Sequence, residues 1–160
     1  MTDHHEEAVV RPAVLDDVPA LVACSAALFA EDAGVRDATV DINWPLEHGA
    51  ERFTSGVDDP SRLLLVAERG GEVIGHLAGA VAEGTAMRPV KVATLVSMYV
   101  RPEHRGARAG TRLVEGFLRW AKEQGAQEAE VTAYAANGDA IRFYERNGFT
   151  ARLVTLGLSL

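Results

Sequence analysis

Apolar and polar positions along this chain follow two periods, and the switches between them outline its elements. Val9 to Val14 reads as a short strand. Asp16-Asp17 then cap a helix with Pro19 in its first turn, and Leu21, Val22, Cys24, Ala27 and Leu28 recur at helical spacing to about Phe29. Residues 31–60 are weakly patterned, with one helix predicted around Leu46 to Phe53. Arg62 to Glu68 and Val73 to Ala82 read as strands joined through Arg69-Gly70-Gly71-Glu72, a hairpin sequence. Val92 to Val100 is a further strand, followed by an amphipathic helix that aligns Leu113, Val114, Phe117, Leu118 and Ala121 and ends at Gly125. Glu128 to Tyr134 predicts a strand, Ala140 to Arg146 a short helix behind Asn137, and Thr150 to Leu158 a last strand. The order β-α-α-β-β-β-α-β-α-β implies an α/β fold, a mixed sheet with helices on both faces.

Composition narrows the class. The chain has 160 residues, 48% of them apolar and 24% charged, which suits one globular domain (1–160) with residues 1–8 as a flexible tail. No apolar run approaches the ~20 residues of a membrane helix, so no membrane partner is expected. The acidic start MTDHHEEAVV lacks the features of a signal peptide, and its paired His4-His5 reads as tail rather than metal site. A single cysteine, Cys24, forbids an internal disulfide and fits a cytoplasmic location. Its place in a helical apolar pattern reads as buried filler.

Net charge is −7, distributed unevenly. Residues 1–60 hold 13 acidic against 3 basic residues, whereas residues 61–160 hold 10 against 13. The front half therefore favours a cationic partner and the back half an anionic one. Nucleic acid is not an expected partner, because no basic stripe with interleaved aromatics is present.

Val100 to Gly125 carries the most specific chemistry. A strand leads through Arg105-Gly106-Ala107-Arg108-Ala109-Gly110 directly into a helix. Unpaired N–H groups at a helix start, the helix dipole and two arginines together make a phosphate site.

These residues resemble the Gcn5-related N-acetyltransferase (GNAT) family. Val100-Arg101-Pro102-Glu103-His104-Arg105-Gly106-Ala107-Arg108-Ala109-Gly110 is similar to its pyrophosphate-binding segment V-x-P-x-x-R-G-x-G-x-G. Asn137-Gly138-Asp139-Ala140-Ile141-Arg142-Phe143-Tyr144-Glu145-Arg146-Asn147-Gly148-Phe149 is similar to a second signature, N-x-x-A-x-x-F/L-Y-E-x-x-G-F. Val10-Arg11-Pro12-Ala13 with Asp16-Asp17 resembles the family's first strand and helix, so the likeness spans nearly the whole chain. The resemblance implies a mixed, mostly antiparallel sheet of six to seven strands flanked by about four helices.

It also implies direct transfer of acetyl from acetyl-CoA to an amine through a ternary complex, without a metal. Residues 105–111 (Arg105, Gly106, Ala107, Arg108, Ala109, Gly110 and Thr111) would hold the diphosphate. Met98, Tyr99 and Val100 would pair with the pantetheine arm and polarise the carbonyl, while Asn137 and Asp139 would contact the donor. Tyr144 falls at the position of the general acid, also beside the donor. The acceptor would be a small cationic amine, such as a polyamine, an aminoglycoside-type antibiotic or an amino-acid derivative. Glu31, Asp32 and Trp44 would face it, with Asp37 and Asp41 nearby. A homodimer is the assembly the family suggests. The alternatives are a protein N-terminal or lysine acetyltransferase and a non-catalytic CoA-binding module.

Two departures from the pattern set further expectations. Arg108 replaces the central glycine of the loop, and an ordinary backbone is expected of an arginine there. No carboxylate occupies Val96 or Ser97 on the strand before the loop. Ser97 as a water-positioning group and Glu83 at the end of the preceding strand stand as candidates for the base. His76, among Gly75, Leu77, Ala78 and Gly79, reads as a core histidine.

Overall fold

The structure is a computed structural model and describes residues 7–160. The His4-His5 pair and most of the expected tail lie outside the described residues. Five strands, β1 (Val9–Pro12), β2 (Arg62–Arg69), β3 (Glu72–Ala82), β4 (Val92–Val100) and β5 (Glu128–Val131), form one sheet in sequential order. Neighbours pair antiparallel except β4 and β5, which run parallel. The helices are α1 (Val18–Leu28), α2 (Gly34–Arg36), α3 (Trp44–Val57), α4 (Ala109–Glu123) and α5 (Gly138–Arg146). The mixed sheet is as expected, with five strands among the described residues instead of six to seven.

Both faces of the sheet are covered, which explains why Leu64, Leu65, Val66 and Ala67 are all buried instead of alternating. Leu65 and Ala67 point to the α4 side and pack with Leu77, Leu113, Val114 and Phe117. Leu64 and Val66 point the other way, to Val18, Leu21 and Phe53 of α1 and α3. Gly79 makes room for the first of these layers: a Cβ there would stand 3.0 Å from the Phe117 ring. Gly70 and Gly71, both with positive φ, make the tight β2–β3 turn that the sequence predicts.

Several boundaries differ. β1 ends at Pro12, because Ala13 turns inward to the second core layer and its N–H bonds to the Leu64 carbonyl. The first helix does not stop at Phe29 but runs on through a π-helical stretch, Phe29–Ala33, into α2. With the short 3-10 turn at Leu15–Asp17 it makes a helical run of 22 residues, Leu15–Arg36, whose most apolar 18-residue stretch has mean hydropathy 1.5. That run is long and apolar enough to match a membrane span by composition, contrary to the expectation. It is nonetheless anchored as a sheet-covering helix by buried Leu21 and Cys24, and at its start by Arg11, which reaches Asp17 at 2.7 Å and Glu68 at 3.0 Å.

The largest difference is at the C-terminal end. β5 stops at Val131 rather than Tyr134, since Tyr134 turns to accept the Asn137 N–H on its carbonyl. The strand expected at Thr150–Leu158 does not form: residues 150–160 are exposed and make no backbone hydrogen bond among the described residues.

Candidate active site

The site begins where the sheet splits. β4 pairs with β3 along its whole length, but with β5 only over Val92–Leu95. The β3 register slips between Ala78 and Gly79, so Val96 bulges out of the ladder, half exposed. From Val96 to Val100 one edge of β4 is therefore without a neighbouring strand. It offers unpaired backbone donors and acceptors within the middle of the sheet, between β3 and the end of β5.

That edge runs into the loop before α4. A 3-10 turn at Pro102–His104 precedes Gly106 (φ 89°) and Arg108 (φ 67°), both left-handed. Arg108 thus takes the backbone expected of the glycine it replaces, correcting the expectation of an ordinary conformation. It is the only non-glycine residue with positive φ among those described. Two left-handed residues around Ala107 make the alternating geometry in which successive N–H groups turn to one side. The N–H groups of Gly106, Ala107 and Arg108 make no backbone hydrogen bond, and no side chain caps α4. A Cβ on Gly106 would meet nothing within 4 Å, so the loop is open to a ligand. Buried Ala109 and the contact of Gly110 with Phe143 fix the helix start against α5.

Side chains from four elements converge here. Arg105 donates from Nε to the Val100 carbonyl at 2.8 Å and through both terminal nitrogens to Glu31, at 2.6 and 2.8 Å. Its guanidinium lies over the Tyr99 ring, 5.4 Å from the centroid. Asp32 accepts from Arg36 at 2.7 Å and from Asn137 Nδ2 at 3.1 Å, and Asn137 caps α5 by accepting the Ala140 N–H. The π-helical stretch is what aims Glu31 and Asp32 at Arg105 and Asn137. Weak patterning in residues 31–60 concealed this continuation, and the pairing of Glu31 with Arg105 had no sequence signal. Tyr134, also unforeseen, lies 3.4 Å from Asp37. Trp44 stacks on Phe29 with centroids 6.0 Å apart, which steadies the start of α3 against the same stretch.

Tyr144 is partly buried, edge-on to Phe143 and Phe149. Burial, with the negative charge of Asp32 adding to it, pushes its phenol up to about 12, so the group keeps its proton throughout the physiological range. Thr111 lies in the first turn of α4, and Asp139, exposed in the first turn of α5, is held by Arg142.

The two candidate bases separate. Glu83 is exposed and ion-paired to Lys91 at 3.2 Å. It follows Ala82, whereas Ser97 pairs with Ala78, so Glu83 stands about 16 Å along β3 from that serine. The strand pairing removes it from the site. Ser97 lies on the open part of β4, 3.1 Å from Nε2 of His76. His76 is fully buried beside Phe53, and burial lowers its imidazole to about 4, leaving it neutral. Its Nδ1 has no hydrogen-bond partner among the described residues. Cys24, buried in α1, has its thiol pushed up to about 11 by burial and is no nucleophile.

A surface groove of about 500 Å³ lies elsewhere, between β1, β2 and α4, bordered by Val10, Leu63, Arg112 and Trp120. None of its lining residues belongs to the segment Val96–Thr111.

Comparisons with known proteins agree with this geometry. Residues 29–149 match the model of the Acetyltransferase (GNAT) family. An uncharacterised N-acetyltransferase of Methanocaldococcus jannaschii is 30% identical over 94 residues, which span 59% of this chain but only 42% of that relative. A predicted acetyltransferase from Clostridium acetobutylicum, solved with acetyl-CoA, superposes with a TM-score of 0.74 at 19% identity, covering 95% of this chain and 96% of that one. An aminoglycoside N-acetyltransferase solved in complex with CoA gives a TM-score of 0.78 at 13% identity, covering 100% and 99%. The chain, which spans about half the length of the curated relatives it matches, belongs to the Acetyltransferase (GNAT) family.

Proposed function

We propose that this enzyme transfers acetyl from acetyl-CoA directly to the primary amine of a small cationic molecule, in the cytoplasm, as one domain. The observation that carries the reading is the free edge of β4, Val96–Val100, leading into the uncapped start of α4. An extended pantetheine arm fits the first and a diphosphate the second. Acetyl-CoA supplies the acetyl thioester when bound, and related structures hold CoA or acetyl-CoA.

The chain's own residues divide the remaining work. N–H groups of Gly106 to Thr111 bind phosphate oxygens, with Arg108 adding its guanidinium. Met98, Tyr99 and Val100 align the arm and direct a backbone N–H at the carbonyl. Asn137 and Asp139 border the arm from α5. Tyr144 holds a proton at its phenol oxygen for the departing sulfur. Ser97, whose hydroxyl is oriented by neutral His76, positions the water that takes the amine proton. The buried thiol of Cys24 favours direct transfer over a covalent acetyl-enzyme. At the entrance Glu31, Asp32 and Asp37 outnumber their cationic partners Arg105 and Arg36, and Trp44 borders it, which suits a cationic acceptor.

The test is release of free thiol from acetyl-CoA against a panel of polyamines, aminoglycosides, amino-acid derivatives and lysine peptides. Turnover with cationic small amines supports the reading. Turnover confined to peptides supports a protein acetyltransferase instead, and none with any acceptor leaves a CoA-binding module.

A further inference from the structure

Two adjacent carboxylates, Glu31 and Asp32, hold polar groups at the loop before α4 and at the start of α5. Arg105 engages all three of its guanidinium nitrogens. Nε donates to the Val100 carbonyl at 2.8 Å, and the two terminal nitrogens grip Glu31 at 2.6 and 2.8 Å. Asp32 accepts from Nδ2 of Asn137 at 3.1 Å. Both carboxylates lie in the stretch Phe29–Ala33, a wider π-helical turn of the kind that recurs at functional sites.

The position of Arg105 gives this contact its meaning. Its side chain returns to Val100, the last residue of β4, while its backbone leads directly into Gly106. The guanidinium therefore stands where the open strand edge meets the loop, the point at which a pantetheine arm and a diphosphate would join. A carboxylate and a phosphate both fit the planar guanidinium fork, and one fork cannot grip both. The side chains of Arg105 and Glu31 are each 44% exposed, and a pair so open to water is held only weakly. An incoming diphosphate can displace Glu31 without disturbing the core.

We infer that Glu31 is an internal competitor of the donor: its carboxylate and the donor's diphosphate share the single fork of Arg105. Diphosphate on that fork releases Glu31 to the acceptor entrance, where its charge becomes available to an ammonium group. Donor and cationic acceptor then favour each other's binding, by the reciprocity of coupled sites. The inference rests on the proposed function for its donor.

Calorimetry of CoA binding to the intact chain tests it. Loss of one exposed bidentate pair corresponds to about fivefold in affinity. Glu31→Gln should therefore bind CoA about fivefold more tightly than wild type. Asp37→Asn removes the same charge from the entrance without touching Arg105, and should gain less than about twofold. In an Arg105→Gln background the gain from Glu31→Gln should vanish; if Arg105→Gln fails to fold by circular dichroism, the comparison with Asp37→Asn decides. Wild-type binding without a gain in Glu31→Gln, an equal gain in Asp37→Asn, or a gain that survives Arg105→Gln overturns the inference and leaves the proposed function standing. No CoA binding by wild type or any variant overturns both.

Discussion

Arg108 holds a left-handed backbone at the start of α4, a conformation costing an L residue about 1–2 kcal/mol. Arg108→Gly removes that strain but adds freedom to the unfolded chain. It should therefore stabilise by about 1 kcal/mol or slightly less, raising Tm by roughly 2–4 °C. If the guanidinium binds diphosphate, the same variant weakens acetyl-CoA about tenfold or more in calorimetry. Opposite signs in the two measurements would show strain retained for function, while unchanged affinity would make Arg108 a tolerated misfit. Tyr144→Phe keeps the aromatic contacts with Phe143 and Phe149 and removes one proton. Turnover should fall about 10²-fold or more with donor affinity retained; wild-type turnover would leave Tyr144 a packing residue. His76 makes a separate statement about pH. Its folded pKa, about 4, lies below the ordinary 6.5, so the unfolded chain binds the extra proton between these values. This stability is complete above pH 6.5 and is lost as pH falls toward 4, amounting to about 3 kcal/mol in all. Chemical denaturation from pH 7.5 to 4.5 should show it, and His76→Gln should flatten the decline.

At the scale of elements, Gly79 and Phe117 show why β4 opens. The Gly79 Cα leaves space for the Phe117 ring at the level where the register slips and Val96 bulges. Gly79→Val should drive a methyl into that ring and cost about 1–3 kcal/mol, read from the denaturation midpoint. An unchanged midpoint would mean that α4 can shift freely on the sheet. The strands β2, β3 and β4 and the helix α4 were legible in the sequence because their own residues fix them: long apolar runs, a double glycine turn and a helical stripe. The bulge was not, because nothing in VATLVSMYV distinguishes Val96 before β3 is laid against it. The expected final strand failed for a different reason. Its alternation is genuine, but local pattern specifies a strand's preference and not where its partner is.

At the scale of the whole molecule, the charge split acquires a partial location. Glu31, Asp32 and Asp37 from the acidic front half stand opposite Arg105, Asn137 and Tyr134 from the back half. Glu31 is therefore satisfied by Arg105 instead of being a free ligand for a cation, a pairing that depends on distant parts of the chain and is invisible in the sequence. The two glycine-loop and asparagine signatures were legible as motifs, since each is a local run. Attraction between exposed charges is screened over about 8–10 Å at ordinary salt. Raising salt should thus raise the acceptor KM with little change in kcat, and neutralising Glu31 and Asp32 together should do the same at low salt. An unchanged KM would reduce the split to a matter of solubility.

Donor binding at the β4 edge is read most directly by a backbone amide NMR titration of the labelled protein with acetyl-CoA. The largest shifts should fall at Val96–Val100, Gly106–Thr111 and Asn137–Tyr144, the free edge of β4 and the starts of α4 and α5. Shifts gathered instead around Val10, Leu63 and Trp120, or no saturable shifts at all, would contradict it.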